Sequence, residues 1–161
     1  MNNDIRKLID DNWEDIKELV IEKAEVEQKL KPKTIWGLKK EDGEDYYRLY
    51  SDGSIVLCVF SSSIDRLMRY MGNAFLTIEE ADFTRERRKI EAVMRRYGRP
   101  FKYGEYDYAI VYSHNNNTLN IFRYSAANFG IPYFESEEIT QKVINEIGED
   151  RLKKYWFGVE E

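Results

Sequence analysis

Cys58 and His114 are the only thiol and the only imidazole in a chain of 161 residues, so any nucleophilic or histidine-based chemistry rests on them. Cys58 lies inside the apolar run Ile55–Phe60, the pattern of a buried strand, where a free cysteine acts as a small unreactive hydrophobe. His114 heads the stretch His114-Asn115-Asn116-Asn117, a hairpin-turn composition in which the ring is solvated. A catalytic triad needs the imidazole hydrogen-bonded to a nucleophile and to an orienting carboxylate, and no Gly-x-Ser-x-Gly elbow presents a serine. Counts of one also exclude a disulfide framework, a CxxC redox pair and a zinc site built from several Cys and His. Neither Gly-x-x-x-x-Gly-Lys-[Ser/Thr] nor Gly-x-Gly-x-x-Gly occurs. Among the carboxylates, Glu79-Glu80 and Glu137-Glu138 fall in first turns of helices, where the dipole accounts for them. Asp65 and Asp107 can sit at strand ends, as a metal-dependent nuclease or glycosidase requires, but they point to no reaction class. The expectation is a non-enzymatic protein with no catalytic residues, no metal and no cofactor.

Charge patterning points to binding. The formal net charge of −5 hides a basic segment, Arg85–Arg99, with seven basic residues against Glu86 and Glu91. Arg85, Arg88, Arg95 and Arg99 are expected on one helical face with Ala92, where they can contact phosphates. Residues 1–30 carry nine acids against five bases, and Glu14, Glu18 and Glu22 of this segment are candidates for engaging a basic groove on a partner. Tyr106, Tyr108, Ile110 and Tyr112 share one strand face, as do Tyr46 and Tyr50. Such rows serve either as a stacking platform for bases or as cross-strand packing beneath helices.

The elements that must position these residues can be read from periodicity. Residues 3–30 form one amphipathic helix with Ile5, Leu8, Ile9, Trp13, Ile16, Leu19 and Val20 as its stripe. Asn3 or Asp4 caps it and Lys31-Pro32 stops it. This helix either packs on its own domain or self-associates as a coiled coil, making the chain a homo-oligomer. From Trp36 the pattern turns to strands: Tyr46–Tyr50 and Ile55–Phe60 flank the hairpin signal Asp52-Gly53. A polar link at Ser61–Asp65 follows, and then a helix from a Thr77/Glu80 capping box to Tyr97, ended by Gly98 and Pro100. Tyr106–Ser113 and Thr118–Tyr124 form a second hairpin, followed by a helix through Ile147 and a short terminal helix at Asp150–Phe157. Phe75-Leu76-Thr77-Ile78-Glu79 and Phe134-Glu135-Ser136-Glu137-Glu138 match as Phe-x-[Thr/Ser]-x-Glu, so the second half repeats the first. The expected fold is α+β: an N-terminal helix (1–31), then a domain (32–161) of two ββα repeats at about 36–99 and 103–157. Their hairpins join in one antiparallel sheet with the helices on one face. The longest apolar run is six residues against roughly 20 for a membrane span, and no signal peptide is evident, so a cytoplasmic protein is expected.

The runs Tyr46-Tyr47, Ser51-Asp52-Gly53, Asp65-Arg66, Arg69-Tyr70-Met71-Gly72-Asn73-Ala74-Phe75-Leu76-Thr77-Ile78-Glu79-Glu80-Ala81 and Ile147-Gly148-Glu149-Asp150-Arg151-Leu152-Lys153-Lys154-Tyr155-Trp156-Phe157 carry a likeness. The chain resembles a family of small accessory proteins from phages and prophages of Gram-positive bacteria over about residues 32–161. The resemblance implies no catalytic residues. It implies a protein that binds host machinery, most concretely an anti-CRISPR inhibitor of a Cas nuclease in the bacterial host cell, touching RNA or DNA bound to it. The alternatives are a nucleic-acid-binding factor using the 85–99 helix and a sponge for signalling nucleotides.

Overall fold

Local signals in the chain set most of the elements. The computed structural model describes residues 12–30, 34–128 and 130–159, and the chain divides into two compact units, Met1–Leu38 and Lys39–Glu161. The first holds helix α1, Trp13–Leu30, and a 3₁₀ turn at Ile35–Gly37. Ile5, Leu8 and Ile9 of the expected stripe, the Asn3 or Asp4 cap and the Lys31-Pro32 stop lie outside the described residues. On α1 the side chains Trp13, Leu19, Val20 and Ile21 are 49–61% exposed.

The second unit begins with strands β1 (Asp45–Leu49) and β2 (Ile55–Val59), paired antiparallel with Leu49 opposite Ile55. Their turn closes on Asp52, whose carboxylate accepts from the Ser54 N–H at 2.9 Å and the Ser54 hydroxyl at 2.7 Å. Gly53 supplies the φ of +86° that the tight reversal needs. Ser61–Asp65, expected as a polar link, instead opens helix α2, Ser63–Tyr70. Ser62 and Asp65 form a reciprocal capping box there, so a run of serines becomes a helix start. Strand β3, Ala74–Phe75, then pairs with the free side of β1.

Helix α3, Ile78–Tyr97, starts at the Thr77/Glu80 capping box and ends at Gly98. Gly98 donates to the Met94 carbonyl at 2.7 Å, and a Cβ at this position would lie 2.8 Å from that same oxygen. The close approach therefore requires glycine. Strands β4 (Asp107–Ser113) and β5 (Thr118–Tyr124) form the second hairpin. Phe134 bridges to Tyr108 on the free side of β4, and Ser136 then caps helix α4, Glu137–Ile147. Helix α5, Glu149–Arg151, runs into a π-helical stretch, Leu152–Trp156.

The architecture is α+β, but the expected single sheet is not formed. Among the described residues there are two sheets, β2-β1-β3 and β4-β5. β3 takes the second side of β1, and Phe134 takes the second side of β4, so neither first strand is open to the other hairpin, and β2 and β5 stay as sheet edges among the described residues. The helices do not share one face either. Tyr46 and Leu49 of β1 point to opposite faces and both are buried, the Tyr46 side lying against α2 through Asp65. Helix α3 connects the two halves of this unit. Ala81 and Ile90 are both buried, and at about 100° per residue they fall on opposite sides of the helix. Its contacts run from β1, β2 and β3 to α4 and the π-helical stretch. The main core joins Ile90 and Met94 of α3 to Ile110, Phe134, Val143, Ile147 and Leu152.

Candidate functional site

The four arginines expected on one basic face have different environments, and three of them are engaged internally. Arg85 is held by Asp82 one turn earlier and approaches Glu86 at 3.6 Å. Arg88 donates to the Gly72 carbonyl at 3.1 Å. Arg99 is not on the helix, because α3 ends at Tyr97 and Gly98 turns the chain into a bridge with Tyr133. Its guanidinium donates to Asp107 at 2.9 Å and to Glu105 at 3.0 Å, and its side chain is only 16% exposed. Arg95 alone of the four is exposed with no hydrogen bond or ion pair among the described residues. Neighbouring cations are also engaged: Lys89 with Glu86, Arg96 with Glu146, and Arg87 over the Trp156 ring. Two of these contacts follow from sequence spacing, since Asp82–Arg85 and Glu86–Lys89 are three apart and share a helix face.

Glu14, Glu18 and Glu22 are all exposed on α1. At four-residue spacing they fall within an arc of about 80° and span about 12 Å along the axis. Glu14 approaches Lys17 at 3.6 Å, and no ion pair of Glu18 or Glu22 occurs among the described residues. The arc lies beside the exposed apolar residues Trp13, Leu19 and Val20 without overlapping them.

Asp65 and Asp107 do not face a cleft. Asp65 is 2% exposed and accepts from the Tyr46 hydroxyl at 2.7 Å, the Ser61 N–H at 2.9 Å, and the Ser62 N–H and hydroxyl at 2.6 Å each. Arg48 forms the buried ion pair with it. Burial alone would push this carboxyl up, but the Ser62 hydroxyl, the serine N–H groups and Tyr46 together hold it well below the usual aspartate range. Burial also drives the Tyr46 phenol far above its ordinary value, and its bond to Asp65 adds to the effect. Asp107 is fully buried and accepts from Arg99 and from the Lys102 N–H at 3.0 Å. The acceptor positions of Asp65 are filled, and Asp107 is fully buried with one donor on each oxygen, so both carboxylates tie elements together. Among the described residues no group of three or more His, Cys, Asp and Glu is placed to hold a metal ion.

The tyrosine rows do not form continuous platforms. Tyr46 is fully buried, while Tyr50 is 40% exposed beneath Arg48. On the second hairpin Ile110 belongs to the core, Tyr112 packs against His114 and Phe157, and Tyr106 carries Arg123 stacked 4.1 Å from its ring centre. Cys58 is half-buried on β2 opposite Tyr46.

Two cavities are described in the second unit among the described residues. One of about 590 Å³ adjoins the end of α3, between Arg95, Phe101, Tyr133 and Trp156. The other, about 830 Å³, gathers Phe83, Arg151, Lys153, Lys154 and Tyr155 around the π-helical stretch. Sequence reasoning missed the second, and its one local trace was the basic pair Lys153-Lys154 beside Tyr155. Among the described residues no helix is long and apolar enough to cross a membrane. No family model matches the chain, and neither the curated proteins nor the solved structures compared with it give a match.

Proposed function

We propose that this protein is a non-catalytic binding protein that docks the acidic side of α1 against a basic surface of a protein partner. One observation carries the reading: Glu14, Glu18 and Glu22 are exposed in a single arc, whereas three of the four arginines of the opposing candidate are spent on internal partners. In its concrete form, taken from the resemblance to phage accessory proteins, the partner is a host defence protein whose nucleic-acid groove is basic. The chain is then an anti-CRISPR inhibitor of a Cas nuclease, acting in the bacterial cytoplasm. The apolar side of α1, with Trp13, Leu19 and Val20, serves a second copy of the chain. A nucleic-acid factor working through the 85–99 helix has less support, because Arg95 is the one arginine of its four left to meet a phosphate.

The test is a cleavage reaction of a purified Cas nuclease and guide RNA complex with and without the chain, at about 50 and about 300 mM salt. Inhibition that weakens at the higher salt is the expected result. No inhibition, or inhibition indifferent to salt, refutes the acidic docking mode. For self-association, removal of residues 1–31 is expected to leave a monomer by light scattering, and an oligomer that persists contradicts it.

A further inference from the structure

The cavity at the π-helical stretch has a composition unlike the rest of the surface. Arg151, Lys153 and Lys154 line it together with Asp150; Glu86 and Glu149 pair with Arg151 and Lys153, which leaves Lys154 as the cation with no ion pair among the described residues. Consecutive residues of a regular helix are about 100° apart and do not share a face. Here Lys153, Lys154 and Tyr155 all reach one cavity, which the wider π turn allows. The register is visible in the Phe157 N–H, which bonds the Leu152 carbonyl at 3.1 Å. The chain then reverses at Gly158, with φ +67°, and the Val159 N–H bonds the Lys153 carbonyl at 2.9 Å, adding a wall.

Two of the cations are held in place. Arg151 pairs with Glu86 at 2.8 Å and Lys153 with Glu149 at 3.2 Å. Lys154 has no ion pair among the described residues and sits 5.4 Å from the Tyr155 ring centre. Phe83 and Tyr155, with centroids 5.4 Å apart, give the cavity an aromatic side. Asn117, also in the lining, adopts φ +54°, a left-handed conformation uncommon outside glycine. Its side-chain oxygen accepts from the Tyr112 hydroxyl at 3.0 Å, and the residue lines the cavity.

We infer that this cavity binds a nucleoside phosphate, with a phosphate on Lys154, the base against Tyr155 and Phe83, and Asn117 donating to a polar edge. Cations alone would suit any small anion, but the aromatic side and a volume of about 830 Å³ favour an anion that carries a ring. The site is separate from the acidic side of α1, and either can fail without the other.

The test is calorimetric titration of the full chain with ADP, adenosine, inorganic phosphate and a 5′-phosphorylated tetranucleotide. ADP is expected to bind saturably, with adenosine and phosphate each at least about tenfold weaker. A tetranucleotide no tighter than ADP assigns the site to a free nucleotide, and a tighter one assigns it to a strand end. Lys154→Glu, at an exposed position, is expected to weaken ADP about tenfold or more, while Lys142→Glu on α4 leaves it unchanged. Asn117→Gly, which suits the left-handed backbone, is expected to weaken ADP without loss of fold. No binding of ADP or tetranucleotide at millimolar concentration, phosphate as tight as ADP, or Lys154→Glu equal to wild type would overturn the assignment.

Discussion

Replacing Asp65 by Asn tests whether the buried cluster holds α2 onto the first sheet. The substitution keeps the shape but removes the charge facing Arg48, and it turns one acceptor oxygen into a donor among groups that all donate. Four donor groups and the Arg48 guanidinium converge on this carboxylate, which is 2% exposed. Breaking a buried ion pair by removing one partner costs about 3–5 kcal/mol. Arg48 retains 14% exposure, so the lower end of that range applies, about 3 kcal/mol. With a urea slope of about 2 kcal/mol/M, the midpoint of unfolding should fall by about 1.5 M. The sign with pH follows from the direction of the shift. A carboxyl held below its unfolded value contributes stability that is fully present above the unfolded pKa of about 3.9 and is lost as pH falls toward the folded one. The gap between wild type and Asp65→Asn should therefore be widest near pH 6 and shrink as the pH drops below about 4. Urea titrations at several pH values measure both quantities. A midpoint shift under about 0.5 M, or a gap that grows in acid, refutes the reasoning.

Other substitutions separate structural from available cations and probe the backbone. Arg99→Ala leaves Asp107 buried without its counter-charge and is expected to cost about 3 kcal/mol, whereas Arg95→Ala should stay within about 0.5 kcal/mol by the same urea titration. Gly98→Ala places a methyl 2.8 Å from the Met94 carbonyl oxygen and is expected to lower thermal stability by about 1–3 kcal/mol; an unchanged melting temperature would contradict the close packing. Leu57 is 55% exposed on β2, an edge strand of its sheet among the described residues. Leu57→Lys should raise the concentration at which the chain aggregates while changing stability by less than about 0.5 kcal/mol.

What could be read from the sequence was local. Asp52-Gly53 makes its turn, Thr77 and Glu80 cap their helix, and Gly98 ends it, because each signal and its hydrogen-bond partner lie within four residues. The separation of the sheets was not legible, since it depends on Phe75 and Phe134 reaching back 28 and 26 residues to Tyr47 and Tyr108. The role of Asp65 was hidden for the same reason: Tyr46 and Arg48 lie 19 and 17 residues away. The basic segment was misleading in a way the sequence did signal. Asp82 and Glu86 stand three residues before Arg85 and Lys89, and that spacing already places a carboxylate beside each cation. The cavity at the π-helical stretch draws on residues 83, 117 and 151–159, and no periodicity announces the widened turn.

The central claim is that the acidic arc of α1 does the binding. Its most direct test compares immobilised wild type with the triple variant Glu14→Lys, Glu18→Lys, Glu22→Lys in capture from a bacterial lysate with intact defence systems, followed by the affinity of each for the protein recovered. All three positions are exposed, so the variant should fold as wild type does by circular dichroism. The account predicts a partner with a basic surface that binds wild type, releases as salt rises, and binds the variant at least about tenfold more weakly. Equal affinity of wild type and variant for that partner would contradict it.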